Sequence, residues 1–188
     1  DKSRLSKLEN LALLFKHTPD GTLCDIGANT GYFTRLAMEF GHKVIALERD
    51  CDTADKFARA FPWAICLVQD ICSPSPDIGW ANLERKSLLS RLDVDTFMML
   101  AVIHHICIGN NIPLKMVAEL CAAQCKNLII EFVPPDDPKS KILAGDKKYP
   151  EYNQIKFEYE FSKLFYIQET LKIEDSCRSL YLMRLITP

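Results

Sequence analysis

The 188-residue sequence lacks any uninterrupted apolar run of the ~20 residues that a membrane-spanning helix needs. It also lacks the apolar core of a signal peptide, because the apolar residues near its start recur at helical spacing between charged ones. The formal net charge of −2 gives no electrostatic footprint for long nucleic acids, although it does not exclude a small basic groove. We therefore expect a cytoplasmic globular protein without a membrane partner.

The eight cysteines include no C-x-x-C pair and no Cys or His pairs at zinc-finger spacing. Cys24, Cys66, Cys107 and Cys121 lie inside apolar runs, where a reduced thiol packs as a small apolar side chain. We therefore expect reduced, buried cysteines, and neither disulfides nor a metal site.

The most informative stretch is Thr22–Gly31, with the sequence Thr-Leu-Cys-Asp-Ile-Gly-Ala-Asn-Thr-Gly. It predicts a short buried strand, a glycine turn and an amphipathic helix with apolar residues at i, i+3, i+4 and i+7 from Phe33. Gly27 and Gly31 permit a tight turn and the close approach of a ligand. A strand, turn and helix of this kind at the start of an alternating β/α chain is typical of nucleotide-binding parallel sheets. An ordinary strand–turn–helix without a ligand is the alternative.

The same turn lacks the middle glycine of the dinucleotide-binding pattern G-x-G-x-x-G. Instead, Asp25, Gly27 and Gly31 follow the pattern acidic-x-Gly-x-x-x-Gly, which resembles motif I of the class I methyltransferases that use S-adenosylmethionine. The ligand of that family is a cationic amino-acid sulfonium joined to adenosine, so an acidic strand end suits its charge. An NAD-dependent oxidoreductase, disfavoured by the missing glycine, stays an alternative.

Further apolar runs alternate with helical patterns and predict strands over 43–47, 64–68, 94–102 and 127–133. Two closing strands, over 166–173 and 180–186, predict an antiparallel hairpin. Helices are also expected over 3–17 and over 79–91, the latter with Trp80 and Leu83 facing inward. Residues 139–153, rich in lysine, are expected to be a mobile loop or a lid.

Five β/α alternations and a closing hairpin resemble the whole class I methyltransferase fold over residues 20–188. The resemblance implies an α/β, Rossmann-like three-layer sandwich with a seven-stranded, mostly parallel sheet. Its strand order would be 3-2-1-4-5-7-6, with strand seven antiparallel. We expect one domain over 1–188, made of an N-terminal helix within 1–19 and the core. Because the chain begins with Asp and not Met, we expect it to be a fragment of a longer protein.

The predicted cofactor-binding residues follow three successive strands. Glu48, about 20 positions after Gly27 and at the end of the second strand, is placed to accept hydrogen bonds from a ribose diol. The resemblance implies that Asp70 accepts a hydrogen bond from the adenine amine and that the backbone of its neighbour Ile71 contacts the ring. The full predicted set is Asp25, Gly27, Ala28, Asn29, Gly31, Glu48, Arg49, Asp70 and Ile71.

The predicted catalytic residues follow the fourth and fifth strands. His104 and His105 lie at the end of a central strand, where imidazole is suited to remove a proton near neutral pH. At least one of the pair is expected to be only a packed, hydrogen-bonded residue. Glu131 lies at the same rim, where it would bind the acceptor, support a histidine or simply pair with a lysine.

A narrower resemblance, to methyltransferases related to rhizobial nodulation protein NoeA, rests on the segments Trp80–Leu88, Ala101–His105 and Ile130–Pro134. The resemblance implies transfer of the methyl group of S-adenosylmethionine to an oxygen or nitrogen nucleophile, leaving S-adenosylhomocysteine. The acceptor, whether a small molecule, protein or RNA, is not identified. The absence of Asn-Pro-Pro-Tyr, Asp-Pro-Pro-Tyr and Pro-Cys motifs disfavours amino-methylation of bases and cytosine C5 chemistry. A non-catalytic adenosine-cofactor or partner-binding module with the same fold stays open.

Overall fold

The computed structural model describes residues 2–186, so Asp1, Thr187 and Pro188 of the predicted domain lie outside the described residues. The strands in this range are β1 (Thr22–Ile26), β2 (Lys43–Glu48), β3 (Ile65–Val68), β4 (Thr96–Met99), β5 (Asn127–Phe132), β6 (Phe165–Lys172) and β7 (Ser179–Leu185). The α-helices are α1 (Lys2–Lys16), α2 (Tyr32–Glu39), α3 (Cys51–Ala60), α4 (Leu88–Arg91), α5 (Leu114–Gln124), α6 (Pro138–Ala144) and α7 (Gln154–Ser162). None of these helices combines the length and apolar character needed to cross a membrane.

The strands form one sheet of order β3-β2-β1-β4-β5-β7-β6. The first five strands pair in parallel, and β7 pairs antiparallel with both β5 and β6. The sheet order and the antiparallel hairpin predicted from the sequence are confirmed. Because β1, β2, β4 and β5 are parallel neighbours, their carboxyl ends meet at one edge of the sheet.

The sheet is covered on both faces, which gives the three-layer sandwich that the sequence predicts. Phe97 of β4 packs into a core with α5 and α7, whereas the next residue, Met98, packs into a second core with α1 and α2. This alternation follows from the two-residue period of a strand. Leu11 and Leu14 of α1 are fully buried in the second core. Each such side chain contributes about 1.5–3 kcal/mol, so α1 is an integral layer of the domain.

The helix predicted over 79–91 forms only in its last turn, Leu88–Arg91, and the rest of the prediction is wrong. A short 3₁₀ turn is followed by irregular backbone, and Ala81 adopts the left-handed conformation with φ 54°, which an α-helix of L-residues does not contain. The helix α4 begins only after Ser87, whose side chain caps it. Trp80 and Leu83, predicted to face inward, are 86% and 74% exposed.

Two further segments differ from the expectation. Strand β4 is shorter than predicted, because Ala101 takes a left-handed conformation with φ 56° and the chain then enters a π-helical turn over His105–Gly109. The segment expected to be a loop from residue 139 instead begins inside α6, which Asp137 caps by accepting a hydrogen bond from the backbone of Lys139 at 2.8 Å. Both differences place ordered backbone beside the carboxyl edge of the sheet.

Candidate active site

A cavity of about 580 Å³ opens at the carboxyl edge of the parallel strands. Helix α1 and the start of α2 border it through Lys7 and Phe33. Ligands of open α/β sheets bind at this edge. The predicted site residues that line the cavity are Asp25, Gly27, Ala28, Asn29, Glu48, Arg49, Asp70, Ile71, His105 and Glu131. Two predicted residues, Gly31 and His104, are not among its lining residues.

Asp25 is a buried carboxyl group on the floor of the cavity. It accepts a hydrogen bond from the hydroxyl of Thr34. Burial raises the pKa of Asp25 to about 7, and the nearby charge of Glu48 adds to this, while the Thr34 hydrogen bond and Lys7 oppose it. A cationic ligand group beside Asp25 would favour the ionised form and lower this pKa again.

The glycine turn is held against β2 by backbone hydrogen bonds. The amides of Gly27 and Ala28 donate to the carbonyl of Leu47 at 2.8 Å and 3.2 Å. Gly27 has φ 73°, and a Cβ at this position would lie 2.8 Å from the side chain of Val102. Asn29, with φ 51°, follows in the same left-handed conformation. The turn therefore exposes backbone to the cavity at a place where a side chain would not fit.

Glu48 is largely buried at the end of β2. One carboxylate oxygen accepts the backbone N–H of Asn29 at 2.9 Å, and the other accepts that of Asp50 at 3.0 Å. An ionised carboxylate has about four acceptor positions, so each oxygen keeps one for a ligand. The two backbone bonds thus fix the orientation of the carboxylate while leaving it able to bind two neighbouring hydroxyl groups.

Gly31 contributes to packing against α3. It begins α2 with φ 82°, and a Cβ here would lie 2.3 Å from the ring of Phe61 and 2.9 Å from that of Phe57. The close approach that this glycine permits is therefore to two aromatic rings. Its predicted role toward a ligand has no counterpart among the cavity contacts.

Asp70 and Ile71 line the cavity beyond the end of β3. One carboxylate oxygen of Asp70 accepts the backbone N–H of Cys72 at 2.8 Å, so Asp70 also closes a turn. The side chain predicted to bind adenine therefore also closes a turn of its own loop.

The two histidines differ in their surroundings. His104 is fully buried, and neither ring nitrogen has a hydrogen-bond partner among the described residues. Burial, aided by the neighbouring His105 and by Arg178, lowers the pKa of His104 to about 3. His105 lines the cavity, 4.2 Å from His104 between ring centroids. Burial, Arg49 and Lys139 lower the pKa of His105, so its imidazole is neutral and able to accept a proton at pH 7.

Glu131 is bound by two cations. Its carboxylate pairs with the ammonium of Lys7 and with the guanidinium of Arg178 at 3.3 Å. Arg178 also holds Asp137 through two bonds of 2.7 Å and 3.0 Å. Burial lowers the pKa of Lys7, whereas its attraction to Glu131 acts in the opposite direction. This network joins α1, β5, the start of α6 and the β6–β7 turn at one wall of the cavity.

Lys7 and Arg178 are site residues that sequence reasoning missed. Both lie far from Glu131 along the chain, so no local motif connects them. One signal was nevertheless present for Lys7, which shares a helical face with Leu11 and Leu14. A lysine on an otherwise apolar helix face indicates a buried acidic partner.

Comparisons with known proteins agree with this architecture. Nodulation protein NoeA of Rhizobium meliloti (strain 1021) is 34% identical over 173 residues, which cover 88% of this chain and 36% of the length of NoeA. N-methyltransferase NodS from Bradyrhizobium japonicum WM9 superposes with a TM-score of 0.70 at 10% identity, over 98% of this chain and 97% of NodS. No protein-family model matches the chain.

A second solved structure is that of magnesium protoporphyrin IX methyltransferase (ChlM) from Synechocystis PCC 6803 with bound SAM. It superposes with a TM-score of 0.64 at 14% identity, over 98% of this chain and 80% of ChlM. At such identities, the structural likeness shows the fold alone. The similarity to NoeA is a relation between the sequences themselves. By its sheet order and these likenesses, the chain has the fold of the class I methyltransferases, and its sequence is related to a region that makes up 36% of NoeA.

Proposed function

We propose that this chain binds S-adenosylmethionine in the cavity and transfers its methyl group to an oxygen or nitrogen atom of an acceptor. The observation that carries the proposal is the placement of Asp25 and Glu48. These two buried carboxylates lie at adjacent strand ends in one cavity, on either side of a glycine turn whose backbone is open to a ligand. Because the chain spans 36% of NoeA, the activity of that whole protein is not assumed.

The cofactor would extend along the ends of β1, β2 and β3. The ammonium of its amino-acid end would lie beside Asp25, and its ribose hydroxyls would bind the free acceptor positions of Glu48. The adenine amine would donate to Asp70. ChlM, a structure with the same fold, holds bound SAM, which supports SAM as the ligand of the present cavity. S-adenosylmethionine supplies a methyl group on a sulfonium, which is already a good leaving group.

The remaining task of the protein is to hold the acceptor in line with the methyl group. The acceptor's lone pair would form the new bond to carbon as the carbon–sulfur bond breaks. The electron pair of the broken bond would remain on sulfur. A near-attack separation of ~3–3.5 Å accounts for much of the rate enhancement in such reactions. His105 is the catalytic candidate that lines the cavity as a neutral imidazole, and it would receive the proton that the acceptor loses.

Calorimetric titration with S-adenosylhomocysteine tests the cofactor, with NAD as the competing ligand. Glu48→Gln should weaken binding about 10- to 100-fold, because hydrogen bonds to a charged group contribute about 1.5–3 kcal/mol. The matched control is Glu39→Gln, an exposed residue at the end of α2 that does not line the cavity. Thermal melts of both variants verify that they fold.

Each result has a defined consequence. Binding of S-adenosylhomocysteine that Glu48→Gln weakens and Glu39→Gln does not would support the proposal. A folded chain that binds neither ligand would refute it, and preferential binding of NAD would favour an oxidoreductase. Cofactor binding without methyl transfer to any class of acceptor would favour a non-catalytic module.

A further inference from the structure

The cavity is lined by cationic as well as acidic side chains. The carboxylates assigned to the cofactor lie at the ends of β1, β2 and β3. On the side of β4 and β5, Glu131 is the acidic lining residue. Five cationic residues from four separate segments of the chain also line the cavity: Arg4, Lys7, Arg49, Lys139 and Arg178.

Three of these cations already have partners. Lys7 and Arg178 neutralise Glu131, and Arg178 also holds Asp137. The guanidinium of Arg4 lies over the ring of Tyr32, 3.5 Å from its centroid. The two remaining cations have no such partner among the described residues. Arg49 follows β2, and Lys139 lies in the first turn of α6.

Arg49 and Lys139 form no salt bridge with any carboxylate of residues 2–186. Both side chains are exposed, and both are close enough to His105 to act on its protonation. Asp137, two residues before Lys139, is bound by Arg178. His105 therefore lies beside two unpaired positive charges, at the edge of the sheet where the acceptor would bind.

We propose that the acceptor carries an anionic oxygen group, a phosphate or a carboxylate, which binds Arg49 and Lys139 beside His105. The inference rests on the proposed function, since it names the substrate class for the same cavity. Arginine presents paired N–H donors that match such a group, and lysine adds a mobile point charge. The anion would orient the acceptor with its nucleophile toward the methyl group and His105.

The proposal predicts a change that can be measured at His105 itself. An anion between the two cations would offset their effect and raise the pKa of His105. Proton NMR of the chain saturated with S-adenosylhomocysteine would follow the His105 ring signal across pH, with and without inorganic phosphate. The signal is assigned by its loss in His105→Gln, and salt concentration is held constant with sodium chloride.

Two lysines of α6 provide a matched pair of variants. Lys139→Gln removes a cavity cation, whereas Lys141→Gln removes an exposed cation that does not line the cavity. Phosphate should raise the pKa of His105 in the unmodified chain and in Lys141→Gln. The effect should be at least halved in Lys139→Gln, whose His105 should also start from a higher pKa. A parallel titration with acetate distinguishes a carboxylate from a phosphate, and choline serves as the cationic control.

The outcomes separate this proposal from the cofactor assignment. No response of His105 to either anion, or an equal response in Lys139→Gln and the unmodified chain, would overturn the anionic acceptor even if S-adenosylhomocysteine binds normally. A response that depends on Lys139 supports the proposed site. If calorimetry shows no binding of S-adenosylhomocysteine and the chain alone still gives the Lys139-dependent response, the anion site stands and the methyl-transfer function is refuted.

Discussion

Replacing Gly31 with alanine should destabilise the domain by a mechanism that the structure makes explicit. The residue combines a left-handed backbone, with φ 82°, and a site where a Cβ would lie 2.3 Å from the ring of Phe61. The second closest ring, that of Phe57, is fully buried and has little room to move. The substitution therefore introduces backbone strain and overpacking at once.

The expected magnitude is the sum of these two costs. A left-handed conformation costs an L-residue about 1–2 kcal/mol, and overpacking a well-packed core costs about 1–3 kcal/mol. The free energy of unfolding should therefore fall by about 2–5 kcal/mol, from a total that is typically about 5–15 kcal/mol. With a urea dependence of about 2 kcal/mol/M, the midpoint of unfolding would shift by about 1–2.5 M.

Gly41→Ala provides the control for Gly31→Ala. Both positions have a left-handed backbone, but only the alanine side chain at position 31 would collide with aromatic rings. Gly41 has φ 90°, and a Cβ there would meet no heavy atom within 4 Å. Urea unfolding of both variants should show a loss of about 1–2 kcal/mol for Gly41→Ala. The additional loss in Gly31→Ala then measures the displacement of the two phenylalanine rings. Equal losses in the two variants would show that the packing argument is wrong.

Two further charged sites give testable predictions. Because the pKa of Asp25 is about 7, S-adenosylhomocysteine should bind more weakly as the pH falls below 7, and calorimetry at pH 6 and 8 should show no such dependence in Asp25→Asn. The pKa of Asp25 in the folded domain exceeds its usual 3.8, so the folded state binds the proton more tightly than the unfolded state. Without ligand, the free energy of unfolding should therefore fall as the pH rises from about 4 to 7, and urea unfolding should show a smaller fall in Asp25→Asn. Lys7→Met leaves Arg178 as the one remaining cation paired with Glu131 among the described residues, and it should lower the free energy of unfolding by about 1–3 kcal/mol. The control Lys16→Met, at an exposed position of the same helix, should change it by less than about 0.5 kcal/mol. Equal effects of the two variants would refute the pairing argument.

The sheet and the glycine turn were predictable because their signals are local. Buried strands such as β1 and β5 appear as short apolar runs, and the left-handed turn between β1 and α2 requires glycine at fixed positions. Glu48 and Asp70 follow strands that pair in order, so their presence at one edge follows from the topology alone. These residues were placed without any knowledge of side-chain contacts.

The segment between β3 and β4 was mispredicted because its periodicity was misleading. Trp80 and Leu83 have the three-residue spacing of a helix face, but Gly79, with φ 88°, and the left-handed Ala81 prevent a helix. The isolated bridge between Ile78 and Arg85 closes this segment into a tight loop instead. Hydrophobic spacing over so few residues does not outweigh the backbone conformations that the loop requires.

The histidine pair shows a second limit of the sequence. Adjacent His104 and His105 are equivalent as a motif, yet the π-helical turn that begins here sends one ring into the core and the other to the cavity. The expectation of one packed, hydrogen-bonded histidine fits the burial of His104. It does not fit its hydrogen bonding, because neither ring nitrogen has a partner among the described residues. Only the three-dimensional path of the backbone after Ala101 decides which ring meets a ligand.

The two sides of the cavity differ in how they are encoded, and this difference bears on function. The carboxylates proposed to bind the cofactor lie at or after the ends of consecutive strands, so their positions follow from local motifs. The opposite wall combines Lys7 of α1, Lys139 of α6 and Arg178 of the β6–β7 turn, which are distant in sequence. None of these three cations is among the hydrogen-bond partners that hold Glu48 within the described residues. Under the proposed function, cofactor binding would therefore depend on local motifs, whereas acceptor preference would depend on charges that distant segments bring together.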